Sequence, residues 1–315
     1  MQDVSTSKTE SRTMLNVKTI VDKNKMKDVL TIALFVSPAL FIYALYVIYP
    51  IIATLNYSLF DWRGGAESTF VGLQNYFRLF QDPTFWAALK NNIWITITSV
   101  FVQIPIGLIM ALMLFAPIRG IRLMSSVYFF PYLMSTVAIG ILWVYMYDPI
   151  NGSINQLLNL LGFENIAWLS EKGTAMIAVL LVIVWNFAPF YMILFRAAIV
   201  GIPEELYEAA KIDGANPLHR FVHITLPLLF PTIVTSSILA IVGSLKAFDI
   251  FYVMTGGGPN HATELMGTYM FKQAFVNFNM GYASAIAFIM FLIALVVTIL
   301  IQLLDYFRQK KGEMI

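Results

Sequence analysis

The sequence predicts an all-α polytopic membrane protein with six transmembrane helices. Three observations carry that prediction. First, 59% of the 315 residues are hydrophobic and only 12% are charged, against about 25% charged in an average soluble domain. Second, six apolar runs reach the length of about 20 residues that a spanning helix needs. They cover residues 29–58, 93–116, 124–147, 175–195, 224–245 and 282–304, and none contains a charged residue. Third, Lys and Arg alternate in density between successive connections, as the positive-inside rule expects.

In chain order, residues 1–28 come first. They are polar and carry Lys8, Arg12, Lys18, Lys23, Lys25 and Lys27. A secretory signal has a short basic start followed at once by an apolar core. Here the apolar run starts late and is too long, so 1–28 is expected to be a cytoplasmic tail. The apolar six-span domain then covers 29–307, and 308–315 forms a short C-terminal tail. Pro38 and Pro50 predict a kink or tilt in the first span. With the N-terminus inside, Arg119, Arg122, Arg196, Lys211, Arg220, Arg308, Lys310 and Lys311 join the tail lysines and arginine on the inner side. Only Arg63, Arg78, Lys90, Lys172, Lys246 and Lys272 fall outside. Both termini are therefore expected to be cytoplasmic. Among the outer connections, 73–80 reads as an amphipathic helix, and Asn151-Gly152 signals a turn.

The longest polar interruption with its own design is 202–227, IPEELYEAAKIDGANPLHRFVHITLP. Pro203 suits a first helical turn, and Glu204 and Glu205 sit where the helix dipole favours acids. Gly214 can take the left-handed conformation that ends a helix. Asn216-Pro217 is a cap followed by a first-turn proline, so a second helix starts at once. The stretch reads as helix, tight turn, helix at a membrane surface.

Several chemistries find no support. There is no cysteine, hence no disulfide framework or thiol chemistry, and a net charge of +2 makes no case for nucleic acid. No G-x-x-x-x-G-K-[ST] is present, and Gly256-Gly257-Gly258-Pro259 lacks the following Lys-Ser/Thr, so it reads as a tight outer turn. His219 and His223 share a helix face, but a zinc site needs a third ligand and the neighbour of His219 is Arg220. No metal site and no catalytic residues are expected. Charge-free spans also argue against an ion-coupled carrier. Lys246 and Asp249, three apart at the end of the fifth span, are expected to pair; alternatively Asp249 accepts hydrogen bonds from a polar solute. Polar residues within or beside the spans include Gln103, Thr136, Asn186 and Ser244, near the aromatics Tyr132 and Phe190. Helix packing alone explains many such hydroxyls.

Glu208-Ala209-Ala210, three residues, Gly214, nine residues, Ile224, one residue, Leu226-Pro227 resembles the EAA signature of permease subunits of binding-protein-dependent ABC importers. Phe60-Asp61-Trp62, the stretch 70–76 (FVGLQNY), and Phe248-Asp249 followed by 255–259 (TGGGP) resemble the sugar-permease branch, close to the first maltose-permease subunit. The resemblance implies a type I importer permease of MetI-like fold in a bacterial plasma membrane. It implies a second homologous permease, an ABC ATPase dimer, an extracellular or periplasmic solute-binding protein, a sugar or oligosaccharide cargo and surrounding lipid. ATP and Mg²⁺ would sit on the partner ATPase, with no cofactor in this chain. Glu208 would meet a basic residue in the ATPase groove, Ala209 and Ala210 would allow close packing, and Asp213 and Gly214 would form the turn. For the solute route, Tyr132 lies in a matching Pro-Tyr pair, Thr136 keeps a hydroxyl, and Phe190 keeps a ring. Ser244 lies in a matching Gly-Ser pair, with Asn186 and Asp249 as further candidates. The alternatives are a non-sugar polar solute such as glycerol-3-phosphate, or an ion-coupled secondary carrier.

Overall fold

The computed structural model describes residues 28–115 and 121–312. The expected N-terminal tail, except Asp28, lies outside the described residues, as do Arg119 and the last three positions of the C-terminal tail. The chain divides into two compact units, Met1–Asn56 and Tyr57–Ile315. The described part of the first is one helix, α1 (Asp28–Ser58), which runs just past the boundary.

The second unit opens with a small antiparallel hairpin, β1 (Phe60–Trp62) and β2 (Ser68–Phe70), pairing Asp61 with Thr69. Helix α2 (Gln74–Gln81) follows, matching the amphipathic stretch. Then come α3 (Pro83–Met113), α4 (Ile121–Leu133), α5 (Thr136–Met146), α6 (Ser153–Leu160) and α7 (Lys172–Val200). Helix α8 (Glu204–Ile212) is short, and α9 (Pro217–Leu245) starts at the predicted Pro217 and continues into the fifth span. The chain closes with α10 (Asp249–Thr255), α11 (Met266–Phe271) and α12 (Met280–Gly312).

Among the described residues five helices are long and apolar enough to cross a membrane, or six if one bent pair counts as a span. That pair falls within the third apolar run, 124–147. Ser125–Leu133 and Thr136–Met146 meet at 101°. Pro131 lies inside α4, and Ser135 is extended (φ −60°, ψ 132°) ahead of α5. A proline supplies no N–H and crowds the preceding turn, and the extended residue just past the helix end, Ser135, lets the chain turn sharply.

Elsewhere proline widens a helix rather than ending it. Five-residue π-turns at Ala44–Ile48, Ser99–Gln103 and Phe221–Thr225 precede Pro50, Pro105 and Pro227. In each, the residue before the proline bonds five positions back, as Ile104 does to Ser99. The wider turn gives the pyrrolidine ring room while keeping the helix continuous.

Among the described residues the second unit has three buried cores, one of them joining α3, α7 and α9 through Ile104, Phe195 and Leu229. Ile95, Ile139, Val182 and Phe251 join α3, α5, α7 and α10. Leu79, Phe85, Met266 and Ile286 join α2, α3, α11 and α12. Several buried polar side chains in these layers bond across helices, as apolar surroundings favour. Gln103 Nε2 donates to the Ile183 carbonyl at 3.1 Å. Asn92 accepts from Met266 N–H at 2.9 Å and donates to the Ser244 carbonyl at 2.8 Å, so one side chain ties α3 to α9 and α11.

Candidate functional site

The first candidate site is a chamber of about 230 Å³ between α3, α5, α7, α9 and α10. Thr136, Phe190, Ser244 and Asp249, four of the six solute-route candidates, line it. Thr136 stands there because the chain turns at Ser135 and starts α5 facing the first turn of α10. Its Oγ1 donates to Asp249 Oδ2 at 3.1 Å. Asp249 begins α10, where a carboxylate also suits the helix dipole. Ser244 donates to the Ala240 carbonyl at 2.7 Å and lies 3.3 Å from the Ser99 hydroxyl. Gln103, Lys246, Phe187 and Phe248 complete a wall that mixes rings, hydroxyls, an amide and both charge signs.

The other two candidates lie elsewhere. Tyr132 stands behind the chamber, its ring 5.6 Å from that of Phe190 and 6.2 Å from that of Phe187. Asn186 is 1% exposed and outside the lining. The expected Lys246–Asp249 pair does not form. Lys246 ends α9 and Phe248 breaks the helix (φ −148°, ψ −64°), so a spacing of three no longer means one helical face. Asp249 takes the hydrogen bond from Thr136 instead.

The second candidate site is the surface of α8 and the start of α9. The predicted helix–turn–helix is present, with Pro203 at the N-cap rather than in the first turn. Gly214 has φ +78°, and the N–H groups of Gly214 and Ala215 return to the carbonyls of Lys211 (3.1 Å) and Ala210 (2.8 Å). That double closure ends α8 and requires a residue free to adopt positive φ. Asn216 caps the next helix by accepting from His219 N–H at 2.8 Å. The rings of His219 and His223 stack, 3.9 Å apart. Glu208, Ala209 and Asp213 are exposed, and Ala210 is partly covered. Apolar side chains stand out beside them: Leu206 is 43% exposed, Leu218 70% and Ile212 87%.

Sequence reasoning missed two features. Tyr207 shares a 2.9 Å hydrogen bond with Thr225, which lies in the π-turn of α9. It fastens α8 to the foot of the fifth span. The second is Glu264, fully buried behind the triple glycine. Its carboxylate accepts from Lys272 Nζ (2.6 Å) and Thr268 Oγ1 (2.6 Å), with His261 Nδ1 at 3.0 Å. Gly257 has φ +86°, and a Cβ there would stand 2.6 Å from Glu264 Oε2. The glycine run wraps a buried acid, a role that a turn signal alone does not reveal.

Near this segment, Asp82 caps α3 by accepting from Thr84 N–H at 2.8 Å and also accepts from the hydroxyls of Tyr269 and Tyr282. Burial pushes the Asp82 carboxyl up, but the donors outweigh it and hold the group below the usual carboxylate range.

The family of binding-protein-dependent transport system inner membrane components matches residues 103–308. Among relatives, the diacetylchitobiose uptake system permease protein NgcF of Streptomyces coelicolor is 36% identical over 86% of this chain and 81% of its own length. The trehalose/maltose transport system permease protein MalF of Thermococcus litoralis is 33% identical over 92% of this chain and 98% of its own. Among solved structures, a bacterial ABC transporter involved in the import of the acidic polysaccharide alginate shares the fold. Its TM-score is 0.79 at 22% identity, covering 91% of this chain and 98% of that one.

Proposed function

The chain belongs to the family of binding-protein-dependent transport system inner membrane components, and from that premise we propose that it is a permease subunit of an ABC sugar importer. The relatives named for diacetylchitobiose and for trehalose/maltose, each covered over most of its length, support a sugar or oligosaccharide as cargo. In this reading a second homologous permease completes the pathway, and an external solute-binding protein delivers the cargo. An ATPase dimer below hydrolyses ATP with its own Mg²⁺. Residues 29–307 form the permease domain between cytoplasmic tails 1–28 and 308–315, in a bacterial plasma membrane. The coupling loop 202–227 then faces the cytoplasm.

One observation carries the coupling role: the exposed apolar edge of Leu206, Ile212 and Leu218 beside Glu208. Exposed apolar groups ringed by charge mark an interaction surface. Ala209 and Ala210 let a partner groove approach the backbone, and Glu208 supplies a charge for a basic partner residue. Closure of the ATPases would push on α8, and the Tyr207–Thr225 bond would carry the push into α9. The span then tilts as a body, opening the chamber to alternate sides.

In the chamber, a sugar would lay an apolar ring face on Phe190 or Phe248 and give its hydroxyls to Thr136, Asp249, Gln103 and Ser244. Mixed walls of this kind suit polar solutes with apolar faces. Lys246 in the lining favours a second reading, an anionic solute such as glycerol-3-phosphate. Gentle affinity purification from the native membrane, with mass spectrometry, tests the assembly. An ATPase and a second permease should co-purify, and a chain that comes out reproducibly alone after crosslinking contradicts it. Uptake by the reconstituted complex, assayed against neutral oligosaccharides and glycerol-3-phosphate, separates the two cargo readings.

A further inference from the structure

A second cavity, a groove of about 600 Å³, lies between α4 and α7. Phe129, Met192 and Ile193 line its walls, and Ser125 and Arg196 are among its polar groups. The groove and the first chamber share a boundary of rings. Phe129 lines the groove, Phe190 lines the chamber, and Tyr132 stands between them, 5.5 Å and 5.6 Å away by ring centres. Helix spacing explains the alignment. Positions 125, 129 and 132 on α4, and 190, 193 and 197 on α7, are three or four residues apart and share a face. The face of α7 that borders the chamber therefore continues toward α8.

The groove carries one charge sign. Arg196 Nη1 donates to Ser125 Oγ at 3.3 Å. Among the described residues no carboxylate pairs with Arg196, and none lines the groove. A guanidinium offers five donors in a fixed plane, so one long bond to a hydroxyl leaves most of them for a ligand. Arg196 is four residues before the end of α7 at Val200, roughly 6 Å along the axis. That depth sets it near the membrane–water boundary, facing a cavity with a hydroxyl from a second helix.

We propose that this groove is a second station on the solute route, separated from the first by the Phe129–Tyr132–Phe190 rings. Arg196, oriented by Ser125, makes that station accept neutral or anionic polyhydroxy solutes and disfavour cationic ones. The inference rests on the importer reading and on the proposed orientation, which place this station on the cytoplasmic side. The competing occupant, a phospholipid chain with its headgroup at Arg196, is an outcome of the test.

The chain has no cysteine, so Ser125→Cys puts a single thiol in this subunit. In the assembled complex in proteoliposomes, its modification by an anionic and by a cationic methanethiosulfonate is followed by mass spectrometry of the subunit. Each rate is normalised to that of a free thiol. The anionic reagent should react about tenfold faster than the cationic one, since one unit charge roughly 6 Å away in a water-like medium raises the first rate and lowers the second by about threefold each, and Arg196→Gln should remove the preference. Ala197→Cys, in the same groove, provides a second reporter that leaves Ser125 in place. A thiol reached only by membrane-permeant N-ethylmaleimide would assign the groove to lipid and overturn the proposal. A charge preference unchanged by Arg196→Gln would also overturn it. Sugar uptake by the parent complex is measured separately; its absence would sink the importer reading, whereas the labelling pattern reports on the groove.

Discussion

The two ends of the fifth span are built on opposite plans. At its far end, the segment from Gly256 to Lys272 closes on itself. Glu264 and Thr268 are fully buried, and the acid finds Lys272, Thr268 and His261 within the segment. At its near end, α8 buries no residue, and Ile212 stands 87% exposed. Its ordering comes from backbone closure at Gly214 and a cap at Asn216, both local. One end pairs its buried acid within itself; the other leaves apolar groups exposed. A closed end can hold the chamber wall fixed, while an open end can receive force from outside the chain.

That contrast can be broken first at the closed end. Glu264→Gln removes the charge partner of Lys272 and should cost about 3 kcal/mol, the lower range for breaking a buried pair, since Lys272 is partly solvated. Thermal unfolding of the purified protein should show the loss, and an unchanged midpoint would deny the clamp. At the open end Glu208→Lys should behave inversely. It changes an exposed residue, so stability should move by no more than about 0.5 kcal/mol. Docking should weaken by about 2 kcal/mol, roughly 30-fold, read as ATPase retention and as sugar moved per ATP consumed.

A smaller effect is expected where the open end joins the span. Tyr207→Phe deletes one hydrogen bond to Thr225, worth about 1 kcal/mol. ATPase retention should be unchanged, while uptake per ATP should fall severalfold. The mildest test is acid. The Asp82 carboxyl titrates lower in the folded chain than in the unfolded one, so its contribution is fully present above the unfolded value of about 3.9. It fades as pH falls through the lower folded value. Asp82→Asn should therefore unfold more readily than the parent near neutral pH, and the difference should shrink below about pH 4. A difference that grows on acidification would contradict that assignment.

The open end was also the more legible one in the sequence. Gly214 and Pro217 act through their own backbones and Asn216 through a side-chain cap three residues on, so their spacing foretells a turn, a cap and a helix start. The apolar runs likewise foretell the spans, because bilayer thickness fixes their length. Long-range pairing left no such trace. Nothing next to Asp249 points to Thr136, more than a hundred residues away, and local spacing pointed instead to Lys246. Nothing beside Glu264 announces that it is buried. The break between α4 and α5 hid inside an unbroken apolar run, since hydropathy records how deep a segment sits but not its direction.

In the proposed importer, α8 docks into the ATPase through the face bearing Glu208. With no native cysteine in the chain, Glu208→Cys gives one attachment point for a short thiol–amine crosslinker in the assembled importer. The account predicts a crosslink from position 208 to a lysine of the ATPase groove, with a yield that changes between nucleotide-free and ATP-bound states. An intact, transporting complex that gives no crosslink to the ATPase from position 208, while positions 206 and 212 are equally silent, would contradict it.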